Sequence, residues 1–207
     1  MGFKENYKNF VQERINKNNR DRLINQRPTL VCSNCTGGFL YHWLKLEFCS
    51  PFINLYLTPN DFITMLEDFD NFLEYGIKEV KNSEYDYPLG IGLHDELIHF
   101  MHYNSFENAI DAWNRRMHRF DKNNMGIMLT NFGEDIELLK RFEQLPYKNK
   151  VCFTSELYPE YKSAYHIKGY DPKKGKNLYA TQSITGKRYI DQFDYVEFIN
   201  HLEDSNG

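Results

Sequence analysis

The side chains best suited to chemistry lie in one short loop, residues 33–38, with the sequence SNCTGG. Cys35 is the candidate nucleophile, and Ser33 is the second candidate. A helix that begins at this loop would lower the pKa of the Cys35 thiol and offer its first amides to an oxyanion. The glycines let a ligand approach the backbone closely. We therefore predict a nucleophile loop in which four further residues bind the substrate: Asn34, Thr36, Gly37 and Gly38.

The same loop permits other interpretations, because Cys32 and Cys35 have the spacing of a redox or zinc pair. Cys32 lies inside an apolar run and is expected to point into a sheet, which disfavours redox chemistry. Cys49 and Cys152 stand alone, which disfavours zinc. The loop also lacks the Lys and the glycine spacing of a phosphate-binding loop. The plainest alternative is a buried, inert Cys35 that only packs in the turn.

A second group of polar side chains is the histidine-rich segment GLHDELIHFMHY, residues 92–103. On a strand, His99 and His102 would point to opposite faces. His102, at the end of that strand, would reach the Cys35 loop and act as the general base. His99 is the alternative base, and Asp95 is the carboxylate expected to orient the imidazole. A structural histidine and a metal ligand are the competing interpretations.

Two basic groups are candidates for holding an anionic part of a ligand. Arg115 and Arg116 lie in the helical segment FENAIDAWNRRMHRF, and Lys187 and Arg188 lie in TGKRYIDQFDY. Arginine suits phosphate or carboxylate groups, such as those of a nucleotide or of coenzyme A. A solvated basic surface is the ordinary alternative.

These residues need a sheet edge to bring them together. An apolar run after Pro28 predicts a buried strand, and a segment with helical spacing follows the glycines. Strand-like and helix-like segments then alternate along the chain, which favours an α/β domain with a mostly parallel, Rossmann-like sheet flanked by helices. Antiparallel strands are expected around residues 87–102. Ligands usually bind at the carboxyl ends of parallel strands, where residues 33–38 fall.

The segment boundaries follow from the same patterns. We expect an N-terminal amphipathic helix as an appendage at residues 1–27 and a single α/β domain at 28–207. Asn60 and Asp61 are expected to cap one helix that continues through residue 73. The segment GKRYIDQFDYVEFINHLE, residues 186–203, is expected to form one closing helix.

Composition restricts the class of protein. A chain of 207 residues with a formal net charge of -4 has no overall basic field, so no nucleic-acid partner is expected. The polar, charged first residues do not resemble a secretory leader. No segment approaches the roughly 18 consecutive apolar residues of a membrane-spanning helix. We expect a cytoplasmic location with reduced thiols.

Several blocks of the chain resemble a bacterial family of capsular or exopolysaccharide biosynthesis proteins, catalogued as domain of unknown function nineteen-nineteen. The blocks are CSNCTGGFLYHWLKLEFCSPFINLYLTPNDF, IHFMHY, the A-x-x-x-W-x-x-R helix, LPYKNKVCFT and TGKRYIDQFDYVEFIN, and they cover about residues 28–202. Thr36 stands where the family pattern has Trp. A weaker similarity, limited to Asn34-Cys35, connects the loop to capsule O-acetyltransferases that use an Asn-Cys turn and coenzyme A.

The family resemblance implies a polysaccharide context and does not give the reaction. The Cys35 loop and the weaker Asn-Cys similarity together favour an acyltransferase that acetylates a hydroxyl of a capsular, exopolysaccharide or lipopolysaccharide sugar. Acetyl-coenzyme A is then the expected co-substrate, without a tightly bound cofactor or metal. The sugar or polysaccharide acceptor is the expected partner, with peripheral association at the inner face of the membrane beside membrane-bound polysaccharide machinery. Two alternatives stay open: a glycosyl or glycerol-phosphate transferase with a nucleotide-activated donor, and a non-catalytic binding component of that machinery.

Overall fold

The main sheet of the protein has four parallel strands. The computed structural model describes residues 2–81, 84–131, 135–171, 177–182 and 185–202. Strands β1 (Thr29–Cys32), β5 (Met125–Thr130), β6 (Lys150–Thr154) and β7 (Ala164–His166) pair in the order β1-β5-β6-β7. The predicted α/β class with a parallel sheet flanked by helices is confirmed.

Helices cover both faces of this sheet, and the strands alternate between two apolar cores. Val31 of β1 packs into a core with helices α3 (Pro59–Glu67), α4 (Phe69–Tyr75), α5 (Phe106–Met117) and α6 (Ile136–Gln144). Its neighbours Leu30 and Cys32 pack on the other face, with α2 (Thr36–Leu44) and α7 (Tyr195–Asn200). Because both faces are buried, the strands read as continuous apolar runs and not as alternating ones.

A smaller antiparallel sheet lies beside the main one. It consists of β2 (Lys78–Val80), β3 (Leu89–Ile91) and β4 (Leu97–His99), in the order β2-β3-β4. His99 also pairs with Tyr56, and the backbone amide of Leu57 donates to the carbonyl of Ser33 at 2.9 Å. The segment around Tyr56 therefore connects the small sheet to the end of β1. The antiparallel strands expected around residues 87–102 are present.

The N-terminal helix α1 (Phe3–Arg22) packs on the domain through polar side chains. Gln12 donates to Thr181 and to the carbonyl of Gly186, at 2.9 and 3.1 Å. Asn19 donates to the hydroxyl of Tyr195 at 2.7 Å. Arg20 donates to the carbonyl of Trp43 at 3.0 Å. The expected N-terminal helix is present, and its second half, from Gln12 to Arg22, is hydrogen-bonded to α2 and to residues 181–195.

Two predicted helices are divided in the structure. Thr58, and not Asn60 or Asp61, is the N-cap of α3, because its hydroxyl accepts from the Asp61 amide at 3.1 Å while Pro59 occupies the first helical position. Asp68, with a non-helical backbone, then separates α3 from α4. The predicted closing helix is a 3-10 turn (Tyr189–Gln192) followed by α7, since extended Phe193 ends the turn and Asp194 caps the new helix.

No helix within the described ranges is long and apolar enough to cross a bilayer.

Candidate functional site

Ser33 completes the end of β1 and is not available as a nucleophile. Its amide donates to the carbonyl of Met128 at 3.2 Å, and its hydroxyl oxygen accepts from the amide of Thr130 at 3.3 Å. The side chain is buried. Because these bonds join the carboxyl ends of β1 and β5, Ser33 extends the strand pairing by one residue. The prediction of Ser33 as second nucleophile is wrong for this geometry.

Asn34 shapes the loop through both ends of its amide. Its oxygen accepts from the Thr36 amide at 3.0 Å, a side-chain turn that mimics a backbone turn. Its nitrogen donates to the hydroxyl of Thr130 at 3.1 Å. Both groups of Asn34 are therefore engaged within the protein. The residue fixes Cys35 at the N-cap of α2. The role predicted for Asn34 in substrate binding stays a prediction.

The sulfur of Cys35 lies 3.3 Å from Nε2 of His102. Cys35 is 8% exposed at the start of α2, whereas His102 is exposed in the turn that follows β4. At this distance the thiol can donate its proton to a neutral imidazole, or an imidazolium can donate to the thiolate. The two residues predicted as nucleophile and base are thus brought together as a pair. Their catalytic roles stay predictions.

Burial sets the resting state of this pair. Desolvation raises the pKa of the Cys35 thiol, and the backbone amide of the same residue opposes that rise. The expectation of a pKa lowered by the helix terminus is therefore reversed. A neutral thiol becomes a nucleophile when an adjacent base takes its proton, and His102 is the imidazole in contact with this thiol.

The other predicted acid-base residues lie away from Cys35. His99 is buried in β4, where its Nδ1 lies 3.2 Å from the Tyr87 hydroxyl and burial lowers its pKa. Asp95 lies in the hairpin turn before β4, with φ of 63°, while His102 follows the same strand. A strand therefore separates the carboxylate from the imidazole. No other side chain in the described ranges hydrogen-bonds the His102 ring. The roles predicted for Asp95 and His99 find no support in these contacts and stay predictions.

The three amides predicted to bind an oxyanion are not equivalent. The Thr36 amide is already bonded to Asn34. The Gly37 amide donates to the sulfur of Cys32. Burial raises the pKa of Cys32 to about 12, and this hydrogen bond partly opposes the rise. Gly38 lies in the first turn of α2, where an amide has no partner within the helix, and no acceptor outside the helix bonds it in the described part of the chain. The Thr36 hydroxyl is buried without a hydrogen-bond partner there. Gly38 is thus the amide of the three that stays free for a ligand.

Two of the four predicted basic residues are structural. Arg116 is 7% exposed and donates from Nη1 to the Tyr103 hydroxyl at 2.8 Å and to the Ile53 carbonyl at 3.2 Å. Arg188 is 1% exposed, pairs with Asp191 at 2.9 Å and lies over the Trp43 ring. Neither is available to hold donor phosphates, and that prediction is wrong for both.

Arg115 and Lys187 are exposed. Their exposure fits both interpretations, a ligand-binding residue and a solvated surface residue. Lys187 borders a small cavity of about 190 Å³ beneath α1, together with Asp191 and Asp194. Arg115 lies on α5, one residue before the buried Arg116. Neither cation has a contact that places it at Cys35, so the predicted role in donor binding stays a prediction for these two.

Three residues near Cys35 were not predicted from the sequence. Asn54 has φ of 62°, and its side-chain oxygen would lie 3.6 Å from a Cβ at Gly38. Phe39, one turn after Cys35 on α2, packs against Tyr179 with ring centroids 4.2 Å apart. Burial raises the pKa of Tyr179, and the nearby Cys35 adds to that rise. The sequence carries no spacing signal for Asn54 or Tyr179, because both come from distant segments.

The alternative chemistries of the cysteines find little support in this geometry. All four cysteines are free and buried. Cys32 and Cys152 are held as neutral thiols, since burial raises the pKa of each to about 12. Within the described ranges, His, Cys, Asp and Glu side chains form no group of three that would hold a metal ion.

Comparison with known proteins places the chain in a family. A family model described as "Domain of unknown function (DUF1919)" matches residues 6–200. An uncharacterized protein of Haemophilus influenzae (strain ATCC 51907 / DSM 11121 / KW20 / Rd) is 42% identical over 192 residues, which are 90% of this chain and 91% of the relative. The match includes most of α1, the Cys35 loop and His102. The chain belongs to the DUF1919 family.

Proposed function

We propose that this protein is an acyltransferase that carries the acyl group on Cys35. The observation that carries the proposal is the 3.3 Å contact between the Cys35 sulfur and Nε2 of His102. A thiol that burial keeps neutral and an imidazole within proton-transfer distance are the parts that nucleophilic catalysis needs. An inert cysteine would not require an exposed imidazole beside it.

The first half-reaction acylates Cys35. Neutral His102 accepts the thiol proton while the sulfur attacks the thioester carbonyl of the donor. The tetrahedral intermediate collapses, its bond to the donor sulfur breaks, and the donor leaves as a thiol with the proton from His102. The free amide of Gly38, in the first turn of α2, is the group best suited to stabilise the oxyanion.

The second half-reaction transfers the acyl group to an alcohol. His102 removes the proton of the acceptor hydroxyl as its oxygen attacks the acyl-Cys35 carbonyl. The carbon-sulfur bond then breaks, and the sulfur recovers the proton from His102. An ester is formed and both side chains return to their starting states. Transfer to water would make the protein a thioesterase, so the acceptor site must compete with solvent.

The resemblance to polysaccharide biosynthesis proteins supports the choice of substrates. An acyl-coenzyme A, in the simplest case acetyl-coenzyme A, is the proposed donor. The proposed acceptor is a sugar hydroxyl of a capsular, exopolysaccharide or lipopolysaccharide precursor. Cytoplasmic precursors of this kind are made beside the inner face of the membrane, where the protein would act peripherally.

Intact-mass spectrometry tests the first half-reaction. Incubation with acetyl-coenzyme A should add one acetyl group to the wild type, and hydroxylamine should remove it. Cys35→Ala should stay unmodified, while Cys49→Ala, which removes another buried thiol, should be acetylated like the wild type. His102→Gln should slow the reaction by about 100-fold or more.

The result that would reject the proposal is a folded wild-type protein whose Cys35 is never acylated. Thermal unfolding with coenzyme A, acetyl-coenzyme A and sugar nucleotides then separates the alternatives. A ligand at 100 times its dissociation constant adds about 2.7 kcal/mol of stability, which is measurable. Stabilisation by sugar nucleotides alone would favour the glycosyl or glycerol-phosphate transferase.

A further inference from the structure

A cavity of about 420 Å³ lies between the second half of α1 and the carboxyl end of α2. Its walls include Arg20 of α1, His42 and Trp43 of α2, and Lys45, the residue that ends α2. We propose that this cavity holds the diphosphate of the acyl donor, whose pantetheine arm lies along α2 with its thioester at Cys35. The inference rests on the proposed acyl transfer, because it assigns the donor side of the same reaction.

An aromatic stripe on α2 connects Cys35 to this cavity. Phe39 and Trp43 follow Cys35 at intervals of four residues, so the three side chains lie on one face of the helix. The ring centroids of Phe39 and Trp43 are 5.6 Å apart. Phe39 is 37% exposed even though it also packs against Tyr179, so part of its ring is available to a ligand. The methylene groups of a donor arm can therefore pack on a continuous apolar surface from Cys35 to the cavity.

The length of the donor arm matches the length of this path. Cys35 and Lys45 are the N-cap and the C-cap of α2. At about 1.5 Å per residue, the helix between them is about 15 Å long. About thirteen bonds separate the sulfur of coenzyme A from its first phosphorus, and an extended chain advances about 3.5 Å per three bonds, so the arm also spans about 15 Å. A phosphate would therefore reach Lys45 while the thioester stays at the Cys35 sulfur.

The cavity has cationic side chains that are available to an anion. The side chains of His42 and Lys45 are exposed and make no hydrogen bond or ion pair within the described ranges. Arg20 is engaged, since it pairs with Glu13 at 2.6 Å and donates to the Trp43 carbonyl at 3.0 Å. That pair is neutral as a whole, so Lys45 leaves the cavity with a net positive charge. In a chain with a formal net charge of -4, this local excess favours a diphosphate.

The carboxyl end of a helix carries partial negative charge, which would oppose an anion. In α2 this charge is largely compensated, because three of the last four carbonyls have donors. The carbonyls of Tyr41 and His42 accept from backbone amides at 2.9 and 3.2 Å, and the Trp43 carbonyl accepts from Arg20. The end of α2 therefore presents the Lys45 ammonium to a ligand and not a row of open carbonyls.

Calorimetric titration with coenzyme A, ADP and UDP-glucose tests the site without any acyl group. Coenzyme A should bind most tightly, because the other two share its diphosphate and lack its arm. Lys45→Asn should weaken coenzyme A and ADP about tenfold each, and asparagine accepts the φ of 58° at this position. Phe39→Ala should weaken coenzyme A about tenfold and leave ADP unchanged. Lys168→Asn, which removes an exposed lysine outside the cavity, should bind like the wild type.

A truncated donor connects the site to the reaction. Acetyl-N-acetylcysteamine is a thioester that ends after the first amide of the pantetheine arm and carries no phosphate. Lys45→Asn should slow the acylation of Cys35 by subsaturating acetyl-coenzyme A about tenfold and leave the rate with the truncated thioester unchanged. An equal loss with both donors would overturn the site, because the truncated thioester cannot reach Lys45.

The outcomes separate this inference from the proposed function. Equal binding of coenzyme A by the wild type and either variant, tighter binding of UDP-glucose than of coenzyme A, or no binding of coenzyme A would overturn the donor site. Acylation of Cys35 by the truncated thioester would retain the proposed function in each of those cases. If coenzyme A binding depends on Lys45 and Phe39 but Cys35 is never acylated, the site is retained and the acyltransferase is rejected.

Discussion

Nη1 of Arg116 lies 2.8 Å from the hydroxyl of Tyr103, so a buried guanidinium is bonded to the residue that follows His102. The same nitrogen donates to the carbonyl of Ile53, which precedes Asn54. In the described part of the chain, no carboxylate pairs with Arg116. A buried cation without a counterion is unfavourable unless its hydrogen bonds compensate. Arg116 therefore connects α5, the His102 turn and the segment beside Gly38.

Replacement of this guanidinium should loosen the His102 turn. Arg116→Gln removes the guanidinium donor of the Tyr103 hydroxyl and leaves the Ile53 carbonyl with only the 3.5 Å bond from that hydroxyl. We expect a loss of about 1–3 kcal/mol in the free energy of unfolding. Arg115→Gln removes the same charge from an exposed position one residue earlier and should change stability by less than about 0.5 kcal/mol. Urea unfolding measures both. Equal stabilities of the two variants would show that the bonds of Arg116 are energetically unimportant.

The pH dependence of Cys35 alkylation reports on the pair with His102. Burial raises the pKa of the thiol, so without a base the thiolate forms only at alkaline pH. In His102→Gln we expect the iodoacetamide rate at pH 7 to fall at least about tenfold and the midpoint of the rate profile to move to higher pH. Peptide mass mapping would assign the modified thiol. An unchanged midpoint would mean that His102 does not accept the thiol proton.

Gly37 and Gly38 should respond differently to the same substitution. A Cβ at Gly37 would lie 2.8 Å from the Cys32 sulfur, whereas a Cβ at Gly38 would meet Ile53 and Asn54 at ordinary distances of 3.4 and 3.6 Å. Gly37→Ala should therefore destabilise the protein by about 1–3 kcal/mol through overpacking. Gly38→Ala should be tolerated, because alanine favours the helix.

The control for this steric argument is the double variant Cys32→Ala/Gly37→Ala. Removal of the sulfur makes room for the new methyl group, so the cost of Gly37→Ala should be smaller in that background. Denaturant unfolding of the four proteins in the cycle measures the coupling. Additive effects would exclude contact with Cys32 as the cause.

The buried thiol of Cys32 also predicts how stability changes at alkaline pH. Its pKa is near 9.0 when exposed and about 12 in the fold. Between these pH values the unfolded chain loses a proton that the folded protein keeps. The contribution of this thiol to the free energy of unfolding is therefore fully present below pH 9 and declines as the pH rises above it. The slope from this thiol is about 1.4 kcal/mol per pH unit. Because the unfolded thiol is only half ionised at pH 9, Cys32→Ala should reduce the mean slope of unfolding free energy against pH between 9 and 10.5 by about 1 kcal/mol per pH unit. An identical slope would contradict the assignment.

The sequence located the Cys35 loop and His102 because both follow strands, and strand ends could be predicted from the apolar runs before them. The predicted contact between Asp95 and the His102 ring is not seen, and the cause is local. Asp95 lies in the hairpin turn before β4, whereas His102 lies in the turn after β4. A signal for Arg116 was present: it lies seven residues after Ala109 and three after Trp113, on the apolar face of α5. The bonds of Ser33 and Asn34 to β5 join residues far apart in the chain, so no local pattern shows them.

The parallel pairing of β1 with β5 has a consequence for how the chain is made. Asn34 and its partner Thr130 are 96 residues apart, and among the described strands β1 has no neighbour in the main sheet other than β5. At about 5–20 residues per second, the ribosome needs about 5–20 s to deliver β5 after β1. During that interval the apolar segment of β1, with Cys32, is exposed without its sheet. The nascent Cys35 loop is therefore assembled late, and molecular chaperones have time to bind β1 before the site exists.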